Sequence, residues 1–321
     1  MNTLAQLGER EAIRRLARHV RSGAGVITGI GDDCALARLD DSRWDLALTT
    51  DPVIEGIHFL PDTVPERIGH KAAGRCLSDI AAMGAEPLWA LINVVAAPED
   101  SIERMERIYN GATELCSRHG TAIIGGDLAR GPRLELHVFM IGRAPRGSAL
   151  TRSGARPGDA LYVTGALGGS RAGKHLDFEP RLVEGAFLRE GGWASAMIDL
   201  SDGIAADLRH ILDQSRVGAE LWPHALPLSD AARLAEDGRG PLEHALCDGE
   251  DFELLFTVPN ARASELDAAW AARFALPVTR VGRILDAAQG LVLRGADGVA
   301  RELNADGYQH FSITGAESPR D

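Results

Sequence analysis

The chain has 321 residues, of which 45% are hydrophobic and 25% are charged, and its formal net charge is −12. This balance excludes wholesale disorder, and the length suffices for one large domain or two ordinary ones. The acidic charge argues against a general nucleic-acid or anionic-membrane binder, because such proteins normally carry a basic surface. An anionic substrate is still allowed, since divalent cations can join acidic groups to one another.

Strand and helix patterns alternate along the chain, which predicts an α/β or α+β fold. Thr63 and Glu66 have the spacing of a capping box around Pro65, so we expect a helix from there to about Met83. The other elements expected before residue 144 are a surface helix (9–21), strands at 46–50, 91–97, 121–124 and 134–141, and a helix from Pro98 to the C′ glycine Gly120. Beyond residue 159 we expect strands at 160–164 and 252–258, and helices at 204–212 and 263–274.

The segment 144–159 is rich in Pro, Gly and Ser and is the best candidate for a domain boundary. We therefore expect a first domain over residues 1–148, a second over 149–316, and a loose tail at 317–321. No apolar run approaches the ~20 residues of a membrane-spanning helix, so no membrane association is expected.

Cysteine usage bears on the cellular compartment. Cys34, Cys76, Cys116 and Cys247 are far apart in the sequence and form no C-x-x-C pair. Reduced thiols in a cytoplasmic protein fit this pattern better than a zinc ribbon or a disulfide framework.

Carboxylates stand beside glycines or near the ends of predicted strands, at 31–33, 49–51, 78–79, 125–127, 199–203 and 249–251. Ligand sites in α/β folds lie at the carboxyl ends of strands, and Asp51 and Asp127 are expected to follow such strands directly. Two carboxylates ~4 Å apart repel by about 4 kcal/mol at an effective dielectric of 20, so converging acids would need cations. Oxygen ligands suit Mg²⁺, which usually shares its shell with substrate phosphates. The pattern favours a phosphorylated substrate and more than one metal ion; alternatively, each acid caps its own turn or helix.

Residues 168–175 read GGSRAGKH, close to the phosphate-binding G-x-x-x-x-G-K-[ST] loop. A P-loop NTPase is therefore an alternative, although His175 stands where that loop needs a hydroxyl group for Mg²⁺. The other interpretation is a plain glycine-rich loop with Lys174 exposed. His58, just beyond the 46–50 strand, is either a phosphate or substrate contact or a structural histidine.

Seven segments look like thiamine-monophosphate kinase, of the superfamily that includes aminoimidazole ribonucleotide synthetase and selenophosphate synthetase. They are GIGDDCAL (29–36), TTDPVIEGIHF (49–59), KAAGRCLSDIAAMGAEP (71–87), GGDLARGP (125–132), LTRSGARPGDALYVTG (150–165), IDLSDGIAADL (198–208) and GEDFELLFTV (249–258). The resemblance implies a two-domain α/β fold, a homodimer that pairs the N-terminal sheets, and ATP bound in the cleft. It also implies phosphorylation of thiamine monophosphate to thiamine diphosphate by ATP, with several Mg²⁺ ions and no phosphoenzyme.

The same resemblance implies roles for individual residues. The metal ligands would be Asp33, Thr49, Thr50, Asp51, Asp79, Asp127, Asp199 and Asp202; ATP would contact Tyr109, Gly126, Asp127, Arg152 and Ser201; the substrate would contact His58, Glu250 or Asp251, and Tyr308. Asp51 and Asp127 are our choice to hold the ion that bridges the phosphates, and Arg152 our choice to stabilise the transferring group. One departure is Asp248, where the family often has glycine.

Two further interpretations stay open. A selenophosphate synthetase-like enzyme would need a reactive cysteine or selenocysteine near its N-terminus, where Cys34 is the only early cysteine. A non-catalytic metal- or nucleotide-binding scaffold would consume no ATP in response to thiamine monophosphate.

Overall fold

A computed structural model of the chain describes residues 3–20, 22–303 and 307–308. Up to residue 145 the elements are α1 (Leu4–Leu7), α2 (Glu9–Ala17), β1 (Val26–Thr28), β2 (Ala35–Ala37), β3 (Trp44–Ile54), α3 (Pro65–Ala82), β4 (Glu86–Ala96), α4 (Ile102–Arg118), β5 (Ala122–Arg130) and β6 (Glu135–Pro145). They are followed by β7 (Ala160–Thr164), α5 (Lys174–Asp177), α6 (Leu182–Glu190), β8 (Ala196–Asp199), α7 (Ile204–Ser215), β9 (Val217–Leu221), α8 (Asp230–Leu234), α9 (Pro241–Cys247), β10 (Leu254–Val258), α10 (Ala263–Arg273), β11 (Val278–Asp286), β12 (Leu291–Arg294) and β13 (Ala300–Glu302). Short 3₁₀ turns lie at Ser170–Ala172, Pro223–Ala225, Asn260–Arg262 and Ala287–Gln289.

The strands form two mixed sheets. The first has the order β1-β2-β3-β6-β4-β5 and the second the order β13-β12-β9-β11-β7-β10-β8. Only the β4–β5 and β12–β9 pairs of these described strands are parallel. The segment 146–159 joins one sheet to the other, which is where the sequence predicts a boundary.

Helix α3 lies at the centre of the molecule. Ile68, Leu77 and Ile80 on this helix are fully buried. They belong to a hydrophobic cluster that continues into the second sheet, where it includes Phe256 and Trp270. A second cluster lies under α7 and α9, against the other residues of the second sheet. Because one core spans both sheets, the two halves of the chain are packed together through α3.

The structure corrects the predicted start of α3. Thr63 Oγ1 accepts a hydrogen bond from the Leu60 N–H at 3.0 Å, so its hydroxyl serves the preceding turn. The N-cap is Val64, which makes no side-chain cap, and Pro65 occupies the first turn. The helix is confirmed, but the capping box is wrong.

The strands β3 and β5 are longer than predicted. Asp51 and Asp127 therefore lie inside these strands and do not follow them. Pro52 can sit within β3 because β2 pairs only with Leu46, Ala47 and Leu48, so no second neighbour needs its missing N–H. In β5, glycine at 126 is required, because a Cβ there would stand 1.9 Å from the Ile92 carbonyl oxygen.

Helix α4 also begins later than predicted. Ser101 Oγ accepts from the Arg104 N–H at 3.1 Å and caps the helix, three residues beyond Pro98. Gly120 has a φ of +68° just after the end of α4, which agrees with its predicted role as C′ glycine. No helix in the described part of the chain has the length and apolar character needed to cross a membrane.

Candidate active site

Three aspartates from distant parts of the sequence meet between the two sheets. Asp33 precedes β2, Asp79 lies in the last turn of α3, and Asp199 is the final residue of β8. One carboxylate oxygen from each lies within 4.8 Å of the others. We call these three residues the acidic cluster.

Polar side chains surround the acidic cluster. The Thr49 hydroxyl donates to Asp79 Oδ2, and Ser78 Oγ donates to Asp199 Oδ2 at 2.6 Å. Arg152 donates to Asp33 Oδ1 through Nη2 at 2.6 Å and through Nε at 3.2 Å. Asp33 Oδ2 is buried and has no hydrogen-bond partner in the described part of the chain.

Burial raises the pKa of every member of the acidic cluster. For Asp79 the charges of Asp51, Asp199 and Asp33 raise the pKa further. For Asp199, burial and the charge of Asp33 raise the pKa to about 7. These carboxylates repel one another, and the donor set consists of oxygens with one buried oxygen unused. Such a set fits a hard divalent cation such as Mg²⁺.

Alternation along β3 separates the three residues 49–51. Successive side chains in a strand point to opposite faces, so Thr49 and Asp51 share one face and Thr50 lies on the other. Thr50 is exposed, and its hydroxyl donates to the Val138 carbonyl oxygen at 2.9 Å. The structure thus brings Thr49 to the acidic cluster and does not bring Thr50 to it.

A basic group lies next to Asp51. Arg75 donates through Nη2 to Asp51 Oδ1 at 3.0 Å and through Nη1 to Glu250 Oε1 at 3.3 Å. Lys71 Nζ lies 2.7 Å from the same Glu250 oxygen, and His175 Nδ1 lies 3.3 Å from Glu250 Oε2. We call Lys71, Arg75 and His175 the basic cluster.

Burial and neighbouring charges change the pKa values of Lys71 and Glu250. Burial lowers the pKa of Lys71 to about 8, although the charge of Glu250 opposes the change. Burial would raise the pKa of Glu250, but the hydrogen bond from His175 and the charges of Lys71 and Arg75 hold it well below its usual range. The negative charge of Glu250 is therefore balanced by the positive charges of Lys71 and Arg75.

The loop 248–252, which carries Glu250, is strained and firmly held. Glu250 and Phe252 have positive φ values of 55° and 49°, a conformation that costs non-glycine residues on the order of 1–3 kcal/mol. The Glu250 N–H donates to the Ser201 carbonyl at 2.7 Å, and the Phe252 N–H donates to the Leu200 carbonyl at 2.8 Å. This loop is thereby fixed to the segment that follows Asp199.

The glycine-rich loop 168–173 is occupied by the protein's own carboxylates. The Gly168 N–H donates to both oxygens of Asp251 at 3.0 Å, and the Gly169 N–H donates to Asp248 Oδ2 at 2.7 Å. A P-loop would offer such N–H groups to a phosphate, so the geometry disfavours the P-loop interpretation. Asp248, which stands where the family often has glycine, accepts the hydrogen bond from Gly169 and also contacts His244 and Arg239.

The structure corrects the expected exposure of Lys174. The interpretation as a plain glycine-rich loop expects Lys174 to be exposed, but the structure shows it partly buried. Its Nζ donates to Glu253 Oε1 at 2.9 Å and to the Ala166 carbonyl at 2.9 Å.

Cys34 is buried, and burial raises the pKa of its thiol well above the usual value. A buried thiol of this kind is inert, which disfavours the selenophosphate synthetase-like interpretation.

The remaining predicted residues of the first half of the chain belong to neither cluster. Asp127 and Gly126 are exposed on the edge strand β5, and the acidic cluster does not include Asp127. His58 is buried, and its Nδ1 accepts from the Ile54 N–H at 3.1 Å. Tyr109 donates to the Ile92 carbonyl at 3.4 Å.

Three more placements concern the second half of the chain. The Tyr308 N–H donates to the Asp202 carbonyl at 3.0 Å, which places the aromatic residue beside the segment 199–203. Asp251 is almost completely buried, whereas the side chain of Glu250 is 20% exposed. The tail at 317–321 lies outside the described residues.

The sequence patterns predict no role for Lys71 or Arg75. One signal could have identified them: Lys71, Arg75 and Asp79 are spaced at i, i+4 and i+8, so they share one face of α3. The partner that gives this face its significance, Glu250, is 175 residues away from Arg75 in the sequence.

Comparisons with known proteins identify the relatives of this chain. A family model described as AIR synthase related protein, N-terminal domain, matches residues 31–144. Thiamine-monophosphate kinase of Salmonella typhimurium is 40% identical over 328 residues, which cover 95% of this chain and 98% of that protein.

Solved structures give the same result. One described as AaThiL complexed with AMPPCP and TMP superposes with a TM-score of 0.84 at 31% identity, covering 97% of this chain and 99% of that one. The crystal structure of thiamine-monophosphate kinase from Stenotrophomonas maltophilia has a TM-score of 0.72 at 35% identity, covering 90% of this chain and 96% of that one. With identity above 30% over nearly the whole length, this chain belongs to the thiamine-monophosphate kinase family.

Proposed function

We propose that this protein transfers the γ-phosphoryl group of ATP to thiamine monophosphate and forms thiamine diphosphate. The observation that carries the proposal is the acidic cluster, in which Asp33, Asp79 and Asp199 converge beside Arg152. The solved relative with AMPPCP and TMP supports the choice of the two substrates, because its chain covers 97% of this one.

The acceptor is itself a phosphate, and this decides what the protein must supply. A phosphate oxygen is already anionic near neutral pH, so the reaction needs no strong general base. Phosphoryl transfer then depends on in-line positioning and on neutralisation of charge. When bound, Mg²⁺ would neutralise the negative charge of the phosphates. The ligands we propose for several such ions are Asp33, Thr49, Asp51, Asp79, Asp127, Asp199 and Asp202, whereas Thr50 lies on the opposite face of β3 and is left out of the set.

On the nucleotide side, we assign the contacts to Tyr109, Gly126, Asp127, Arg152 and Ser201. Arg152 carries a charge that does not titrate, and its guanidinium can donate two parallel hydrogen bonds to a phosphate. In the structure these donors are held by Asp33. Arg152 is therefore already oriented before a nucleotide binds, which reduces the entropic cost of binding.

On the acceptor side, we assign the contacts to His58, Glu250 and Tyr308. The burial of Asp251 and its two bonds from Gly168 favour Glu250 as the acidic contact. The Tyr308 backbone is tied to Asp202, so its ring stays close to the same loops.

The test is an ADP-coupled assay with a panel of acceptors. We expect ADP release only when ATP, Mg²⁺ and thiamine monophosphate are all present, and none with thiamine or with simple phosphate esters. Thiamine diphosphate should appear in equal amount by chromatography. ADP release at the same rate with and without thiamine monophosphate would contradict the proposal and support a simple ATPase. No ADP release under any condition would support a non-catalytic scaffold.

We further propose that the protein is a homodimer that pairs its first sheets. The edge strand β5 exposes Ile124 and Leu128, with 59% and 71% of their surface accessible, and Trp89 on the neighbouring β4 is 47% exposed. Apolar side chains on an open sheet edge favour pairing with a second copy. Light scattering after gel filtration should show that Leu128→Arg converts a dimer to a monomer. Leu234→Arg, at an exposed leucine on α8, should stay dimeric, and a monomeric wild type would refute the proposal.

The domain limits and the compartment follow as proposals. We place the first domain at residues 1–148 and the second at 149–316, because each sheet lies within one of these ranges. The free thiols of Cys34, Cys76 and Cys116, all buried, suit the reducing cytoplasm.

A further inference from the structure

We propose that Arg75 is a positioning and specificity-determining residue that holds the phosphate group of the acceptor. The proposal rests on the proposed function above and goes beyond it, because neither the sequence pattern nor the family resemblance gives Arg75 a role. It predicts that Arg75 distinguishes a phosphate monoester from the corresponding free alcohol.

The position of Arg75 is the first argument. Its guanidinium lies 3.0 Å from Asp51 and 3.3 Å from Glu250, so one cation touches both predicted halves of the site. Asp51 belongs to the proposed phosphate-bridging side, and Glu250 belongs to the proposed acceptor side. The acceptor phosphate supplies the attacking oxygen, so it must lie where the acceptor side meets the phosphate-bridging side. Arg75 is the described arginine that contacts residues of both sides.

The hydrogen-bonding capacity of Arg75 is the second argument. A guanidinium has five N–H donors, and the structure uses one each on Nη1 and Nη2 for the two carboxylates. The Nε donor is buried and has no hydrogen-bond partner among the described residues. A buried donor without a partner costs on the order of 1–3 kcal/mol. An arriving phosphate oxygen would satisfy donors of this group, and planar donor pairs match phosphate geometry.

The neighbouring cations are less suited to this role. Lys71 is completely buried, and its Nζ is held by Glu250 at 2.7 Å and by the His58 carbonyl at 2.7 Å. Because burial lowers the pKa of Lys71 to about 8, Lys71 would also lose its positive charge at higher pH and bind a phosphate more weakly there. Arg152 is bound to Asp33, which belongs to the acidic cluster and not to the proposed acceptor side. We therefore assign Arg152 to the phosphates of the nucleotide and Arg75 to the phosphate of the acceptor.

The experiment compares two ligands that differ only in the phosphate. Titration calorimetry on the full chain, with AMPPCP and Mg²⁺ present, measures the affinity for thiamine monophosphate and for thiamine. The variants are Arg75→Gln and Arg75→Lys. Arg67→Gln is the matched control, because Arg67 lies on the same helix and pairs with Asp177 outside the site.

We expect Arg75→Gln to weaken binding of thiamine monophosphate by about tenfold or more and to change thiamine binding by less than about twofold. Arg75→Lys should recover part of the lost affinity, because it restores the charge without the planar donors. Steady-state assays should show a raised KM for thiamine monophosphate with an unchanged KM for ATP. Arg67→Gln should behave as wild type.

Other outcomes overturn the assignment. If Arg75→Gln weakens both ligands equally, the residue only maintains the shape of the site. If it weakens neither, Arg75 does not meet the phosphate. If Arg75→Gln does not fold, as judged by circular dichroism, Arg75→Lys decides the same question through its ratio of the two affinities. A wild-type protein that neither binds nor phosphorylates thiamine monophosphate would refute the proposed function itself, which is a different result from a change confined to Arg75 variants.

Discussion

The guanidinium of Arg152 lies 2.6 Å from Oδ1 of Asp33, and the Asp33 side chain is only 1% exposed. Removing one partner of a buried ion pair typically costs about 3–5 kcal/mol, because the other charge is left buried alone. We therefore expect Arg152→Gln to lower the free energy of unfolding of the metal-free protein by about 3 kcal/mol. The double variant Asp33→Asn/Arg152→Gln should recover most of that loss. Urea denaturation in EDTA measures the cycle, and strictly additive effects would contradict the pairing.

The second prediction concerns the proposed metal ligands on the first sheet. Asp51→Asn and Asp127→Asn should each reduce kcat by about 1,000-fold or more, since each removes a charge proposed to hold the phosphate-bridging ion. Both variants should keep the wild-type circular dichroism spectrum. Asp297→Asn, at an exposed acid between β12 and β13, is the control and should keep full activity. Near-normal turnover by either site variant would remove it from the ligand set.

A third prediction follows from Asp251, whose pKa burial raises to about 7. Between about pH 4 and pH 7 the unfolded chain has lost this proton while the folded chain keeps it. The group therefore favours the folded state most at low pH, and this contribution falls as the pH rises through that window, by on the order of 2–4 kcal/mol.

Asp251→Asn cannot titrate and should escape that loss. The unfolding free energy of the variant, relative to wild type, should increase from pH 4.5 to pH 7 and then level off. Urea denaturation across the pH range measures the difference. Two curves that stay parallel would show that Asp251 keeps an ordinary pKa in the folded protein.

Lys174 provides the sharpest test against P-loop chemistry. Lys174→Met should destabilise the protein by about 1–2 kcal/mol, because Glu253 loses one hydrogen bond and keeps its two bonds from Arg181. Since Lys174 touches neither Arg75 nor the acidic cluster, kcat should stay within about threefold of wild type. A P-loop lysine binds the phosphates of the nucleotide, so its loss would reduce turnover by several orders of magnitude. Assays should be run well below the melting temperature of the variant.

The glycine-rich loop should be sensitive for a structural reason. At Gly168, where φ is +84°, an added Cβ would lie 2.6 Å from the Ala245 nitrogen. At Gly147, where φ is +71°, it would meet nothing within 4 Å. Gly168→Ala should therefore cost about 3 kcal/mol or more, and Gly147→Ala about 1 kcal/mol. Thermal unfolding of both variants checks the difference, and equal losses would show that the loop can relax.

Local patterns predicted the elements that a continuous apolar run bounded by glycine marks in the sequence. The run 160–164 is a fully buried strand with the predicted limits. The capping box failed because Thr63 has a competing donor in the Leu60 N–H, and sequence spacing does not rank such competitors. Strands β3 and β5 extend past the predicted ends because pairing with neighbours carries them through Pro52 and Gly126. Tertiary pairing overrides local propensity at both positions.

Part of the candidate site could likewise be predicted from the sequence, and part of it could not. Asp33, Asp79 and Asp199 stand in segments where acids adjoin glycine or serine or share a family pattern, so their meeting could be anticipated. The basic cluster could be anticipated only in part: the spacing of Lys71 and Arg75 places them on one face of α3, but their partner Glu250 reaches them through a strained loop far away in the sequence. Long-range ion pairs of this kind leave no periodic signal in a sequence.

The hydrophobic cluster that runs from α3 to Phe256 and Trp270 limits how the molecule can move. Swinging one sheet away from the other, as hinged kinases do, would expose this apolar interior to water and carry a heavy energetic penalty. We therefore expect substrates to enter and products to leave without a hinge movement of one sheet away from the other.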